Sequence, residues 1–154
     1  MGAKDEEFLK RLLATFKVEA ADYPKAISAG LLQLEKEPSP ERRADIVQAV
    51  FREAHSLKGA SRAVNLADIE AICQSLEGIF ARWKRQALAE SSPEEFDLLH
   101  QVVDLVAQLV AAGMAGAESA IKPQVKGIIA RLNLAAQGQA ERTVRHLVAE
   151  PHTQ

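Results

Sequence analysis

The sequence predicts an all-α fold, an antiparallel helical bundle, on three observations. Ala, Leu, Glu, Lys, Arg and Gln dominate the 154 residues, while aromatic residues make up only 5%. Helices favour that balance, whereas strands favour β-branched and aromatic side chains. Apolar residues recur at three- and four-residue spacing along most of the chain. The interruptions are short and marked by Pro, Gly, Ser or Asn, so successive helices fold back on one another. A chain of this length suits one domain with a full hydrophobic core.

Phe8, Leu9, Leu12, Leu13, Phe16 and Ala20 form the apolar stripe of the first helix. The stripe resumes at Ile27, Leu31 and Leu34, so Pro24 either kinks this helix or opens a second segment of it. Ser39-Pro40 reads as the start of the next helix, with Ser as cap and Pro at the first helical position. That helix runs to about Ala63. Asn65 marks a tight reversal, because Asn tolerates the left-handed conformation better than most residues.

The third helix carries Ile69, Ile72, Cys73, Leu76, Phe80 and Trp83 on one face, with Phe80 and Trp83 closing the bundle end. The run Arg82-Trp83-Lys84-Arg85 reads as a solvated helix end whose cations suit the dipole there. Ser92-Pro93-Glu94-Glu95 is a capping box that opens a fourth helix through Phe96, Leu99, Val103, Val106 and Val110, ending near Gly113. Pro123 to about Ala136 forms a fifth, bearing Val125, Ile128, Ile129 and Leu132. The domain is thereby expected over residues 4–136. Residues 137–154 form a tail or linker, with Val144, Leu147 and Val148 able to support a short last helix and Pro151 to Gln154 left disordered.

Composition excludes several classes of function. The net charge is −2 and the basic residues are scattered, so nucleic acid is not an expected partner. One cysteine, Cys73, makes neither an internal disulfide nor a metal site, and a reducing cytosolic setting is the default. Cys73 reads as a small core residue. His100, His146 and His152 lack ligand-like neighbours, and the paired Glu-x-x-His motifs of di-iron bundles are absent. The charged N-terminus lacks the apolar centre of a signal peptide. The most apolar stretch, Val102 to Gly113, is too short to span a bilayer and no membrane insertion is expected.

The residue that calls for an explanation is His55, in Phe51-Arg52-Glu53-Ala54-His55-Ser56-Leu57-Lys58-Gly59-Ala60-Ser61. At about 100° per residue, Ile46, Val50, Ala54, Leu57, Ser61 and Val64 share one apolar face. His55 points well away from it, with Lys58, Gly59 and Arg62 on the same exposed strip. A mid-helix Gly costs roughly 0.5–1 kcal/mol against Ala. One turn beyond an exposed His, Gly59 provides clearance for another protein to approach the imidazole. A nucleophile, a nearby cation and open access together suggest a histidine that receives and passes on a charged group.

Phe51 to Gly59 resembles the phosphorylation-site motif of the histidine phosphotransfer (HPt) domain family, most closely the N-terminal phosphotransfer domains of CheA-type chemotaxis kinases. Glu77 stands twenty-two residues after His55, where these domains place a glutamate that bonds the phospho-accepting imidazole. Phe16-x-x-Glu19-Ala20 and the leucines to Leu34 look like the family's first helix. The resemblance covers about Phe8 to Gln86 by motif and the remainder by helix count. It departs at three positions. Asn65 stands where the family usually has Gly in the turn, Arg62 where a small or neutral residue is common, and Gln74 where some relatives carry a second His.

The resemblance implies a four-helix HPt bundle plus a fifth C-terminal helix, in the bacterial cytoplasm. His55 is the expected phosphoryl acceptor. Glu77 would accept from Nδ1–H, hold the tautomer and leave Nε2 free to attack. Lys58 would offset charge on the incoming phosphoryl group. Phe51, Gly59 and Arg62 are the expected partner contacts. No phosphate-binding loop motif or Mg²⁺-holding acidic cluster is seen in the sequence. ATP and Mg²⁺ are therefore expected from a CheA kinase catalytic domain acting in cis or in trans, and the onward partner is a CheY-type receiver domain. A stand-alone relay protein, or a docking module that is never phosphorylated, are the alternative readings.

Overall fold

Helix starts and stops in the computed structural model, which describes residues 2–85, 92–113 and 123–134, follow from local chemistry. Five helices are bounded in it: α1 (Ala3–Ala20), α2 (Asp22–Glu35), α3 (Pro40–Ala63), α4 (Ala67–Arg85) and α5 (Pro93–Ala112). Residues 123–134 form a further helix, which matches the expected fifth over its described part. The expected tail, with His146 and His152, lies outside the described residues.

Pro24 acts at a distance of one turn. It has no N–H to give the carbonyl of Ala20, and the chain breaks between α1 and α2 at Ala21, which itself keeps helical angles. The second-segment reading of Pro24 is therefore the correct one. Ser39 caps α3 by accepting from the Arg42 backbone N–H at 3.3 Å, with Pro40 at the first helical position.

The α3–α4 turn is a Schellman closure. Asn65 adopts φ 61°. Its N–H donates to the Arg62 carbonyl at 3.2 Å, while the Leu66 N–H donates to that of Ser61 at 2.9 Å. Leu66 is buried beneath it. The Asn thus does the work expected of glycine. Gly113 takes φ 55° and closes α5 through its N–H to the Leu109 carbonyl.

In space, α3 packs along α4 on one side and α2 on the other, and α5 closes the ring against α2 and α4. The helices meet on Ile27, Leu31, Leu57, Ile72, Leu76 and Leu99, all essentially inaccessible to water. Gly30 allows the tight α2–α3 crossing, since a Cβ there would sit 2.4 Å from Val50 Cγ1. The 123–134 helix turns Val125, Ile128 and Leu132 inward and lies against α5, where Arg131 donates to Gln101 at 3.3 Å.

The run from Arg82 to Arg85 departs from the expected solvated end. Arg82 and Trp83 are buried, and only Lys84 and Arg85 are exposed. Arg82 donates to Glu95 Oε1 at 2.5 Å and Trp83 Nε1 to the same oxygen at 3.2 Å. Ser92 caps α5 as expected, accepting from the Glu95 N–H at 3.2 Å. The Glu95 carboxylate meanwhile pins α4 to the first turn of α5. Sequence periodicity did not reveal this, because both partners look like helix-end surface charges. Phe80, Trp83 and Phe96 do close the bundle end, with ring centroids 5.4 and 5.6 Å apart.

Candidate functional site

Antiparallel packing of α3 on α4 brings His55 beside Glu77. The apolar stripe of α3 turns Ala54 and Leu57 inward, which leaves His55 facing out with 64% of its side chain exposed. Glu77 sits on the edge of the apolar face of α4 and is only 9% exposed. Nδ1 of His55 lies 2.5 Å from Glu77 Oε1. A carboxylate can only accept, so Nδ1 carries the proton and donates, and the lone pair is left on Nε2. The ring is thus held by one edge with its nucleophilic edge in solvent.

Lys58 is less free than its sequence position suggests. Its ammonium is 2.5 Å from Glu77 Oε2 and donates to Gln74 Oε1 at 3.1 Å, and only 20% of the side chain is exposed. Oε2 receives no well-directed hydrogen bond, so its contact with Lys58 is an ion pair. The Glu77 carboxylate therefore bridges an imidazole N–H and an ammonium. Gln74 serves here to hold Lys58.

Arg62 lies farther along the same seam. It is 78% exposed and pairs with Glu70 of α4 at 3.3 Å, so its charge is partly committed across the turn. Gly59 is exposed, and a Cβ built on it would meet nothing within 4 Å. Packing among the described residues does not require the glycine. Phe51 is half-buried one turn before His55, its ring parallel to the imidazole to within 5° at a centroid distance of 6.4 Å. The ammonium of Lys84 stands 4.5 Å from the Phe51 centroid. Lys84 was not anticipated from sequence, where it merged with its cationic neighbours.

Cys73 takes no part in this chemistry. Burial first, and then the negative charge of Glu77, push its thiol up to about 12 against the opposing influence of Lys58, so it stays a thiol in the core. His100 is held by Glu35 across the α2–α5 seam. No group of His, Cys, Asp and Glu suited to a metal ion occurs among the described residues. None of the described helices is long and apolar enough to cross a membrane.

The family model of the Hpt domain matches residues 11–112. The chain belongs to the Hpt domain family. It is 30% identical over 107 residues to a chemotaxis protein CheA of Cereibacter sphaeroides, covering 70% of this chain and 16% of that one. It is 30% identical over 78 residues to CheA of Listeria monocytogenes, covering 51% and 12%. It is 26% identical over 102 residues to the sensor histidine kinase CheAY of Helicobacter pylori, covering 66% and 12%. The matched Hpt segment thus spans less than a fifth of each relative's length. No solved structure matches.

Proposed function

We propose that this Hpt domain is the phosphoryl carrier of a CheA-type chemotaxis kinase, with His55 as the acceptor. The observation that carries the reading is the Nδ1–H donation to Glu77 beside a solvent-facing Nε2. In the first step the Nε2 lone pair attacks the γ-phosphorus of ATP held with Mg²⁺ on the kinase domain. A P–N bond forms, and the bond to the ADP oxygen breaks with its electron pair. In the second, an aspartate carboxylate of a CheY-type receiver attacks the same phosphorus, and the P–N electrons return to Nε2.

Glu77 orients the ring and stabilises the positive charge that develops on it during attack. Lys58 balances Glu77 from the other side. The setting is the bacterial cytoplasm, and the receiver docks over the strip of Phe51, His55, Gly59 and Arg62.

The direct test presents the domain to a CheA-type kinase core with labelled ATP. Wild type takes up acid-labile label and His55→Gln takes up none, although the exposed position leaves stability within about 0.5 kcal/mol of wild type. Label retained on His55→Gln would sink the assignment.

Gly59 provides a second test. Gly59→Ala has open space for its methyl group and gains roughly 0.5–1 kcal/mol of helix stability. The same methyl group projects toward the docking partner and slows transfer to the receiver. Thermal unfolding and transfer kinetics measured together read this opposition. A variant more stable and equally fast would remove the clearance role.

A further inference from the structure

We propose that Lys84 is the mobile cation that receives the phosphoryl group on His55, while Lys58 serves as the fixed counter-ion of Glu77. The inference rests on the phosphotransfer reading and redistributes the roles within that site. A phosphoryl group on Nε2 brings close to two negative charges near neutral pH, and a neighbouring cation that can reach it stabilises it. Lys58 is poorly placed to respond. Its ammonium already contacts Glu77 Oε2 and Gln74 Oε1 and is largely withdrawn from solvent, and leaving would expose a buried carboxylate without its counter-ion.

Lys84 has the opposite character. It lies on the exposed side of α4, and among the described residues no carboxylate pairs with it. Its ammonium rests on the face of Phe51, whose ring runs parallel to that of His55. Nζ is therefore no farther from the imidazole centroid than the sum of those two distances, within the swing of a lysine side chain toward a group projecting from Nε2. A cation–π contact at an exposed site is weak, so the ring can hold the ammonium in readiness and release it to a dianion.

Spontaneous loss of the phosphoryl group reads this contact without a partner protein. Water oxygen bonds to phosphorus and the P–N bond breaks with its electrons returning to Nε2; the ring, still protonated on Nδ1, leaves as neutral imidazole, and the protons of the water stay with the phosphate. A cation on the phosphoryl oxygens holds back the electron density that must flow toward the leaving nitrogen in a loose transition state, and so lengthens the lifetime. The experiment labels the isolated domain with phosphoramidate, a small phosphodonor, and follows the decay of phospho-His55 at low and high salt.

Lys84→Met, which keeps the length and loses the charge, is expected to shorten the lifetime roughly two- to fivefold at low salt, with the gap closing at high salt. Lys84→Arg, which keeps the charge, restores it. Equal lifetimes for wild type and Lys84→Met would overturn the proposal. So would a Lys84→Arg variant that decays as fast as Lys84→Met, because the positive charge would then not be what lengthens the lifetime. Absence of label on the wild type under both phosphoramidate and kinase would overturn the phosphotransfer reading itself, and this inference with it.

Discussion

Glu77→Gln is expected to slow phosphorylation of His55 about 10- to 100-fold, by analogy with the loss of the carboxylate that orients a metal-bound histidine. The amide keeps the shape of the carboxylate and can still accept from Nδ1–H, so the tautomer survives. The charge that stabilises a developing imidazolium is lost, and the Lys58 ammonium, 2.5 Å from Oε2, is left facing a neutral group. The effect belongs to the chemical step, so the rate at saturating kinase falls while the apparent affinity for the kinase core holds. Lys58 can extend its stem and reach water, which keeps the change in stability small. Glu77→Ala removes the orienting bond as well and is slower still. Labelling Glu77→Gln at the wild-type rate, with melting curves superimposed, would show that the acid is a structural ion-pair partner and nothing more.

The legible and illegible parts of this molecule divide along physical lines. Helix periodicity and caps are local, so the bounds of α3 and α5 could be anticipated from Ser39-Pro40 and Ser92-Pro93, and the left-handed Asn65 from its place between two stripes. The outward direction of His55 followed from angular arithmetic on α3 alone. Its pairing with Glu77 needed the register of α3 on α4, which the family resemblance supplied and periodicity did not. The roles of Arg82 and Lys84 at the end of α4 escaped for the same reason, while Trp83 was read as closing the bundle end. Arg82, Lys84 and Arg85 share one local signature, yet α5 buries the first against Glu95 and α3 presents Phe51 to the second. Only neighbours distant in sequence tell such residues apart. Lys58 is a milder case, since its place on α3 was read correctly but its commitment to Glu77 and Gln74 depends on α4.

Glu95 is where the fold is most exposed to a single substitution. Its carboxylate is 5% accessible and accepts from both Arg82, itself 9% accessible, and the Trp83 indole. Nε and Nη1 of Arg82 lack hydrogen-bond partners among the described residues, so the guanidinium depends heavily on this one acid. Glu95→Ala strands a buried cation and an indole N–H together, and breaking a buried pair from one side costs about 3–5 kcal/mol. For a domain of this size that lowers Tm by roughly 10 °C or more. The pair itself is a different matter, because desolvating both charges offsets most of their attraction. Replacing both at once, Arg82→Met with Glu95→Leu, is therefore expected to recover most of the loss. Thermal unfolding of the two single variants and the double variant measures this directly. A Glu95→Ala protein melting within 2 °C of wild type, an order-of-magnitude margin for a change under 1 kcal/mol, would mean that water reaches Arg82 and that the α4–α5 pin is not structural. Neither residue touches His55, Glu77 or Lys58. The destabilised variant should therefore still accept a phosphoryl group at temperatures well below its own transition, which separates the pin from the site that it helps to hold in register.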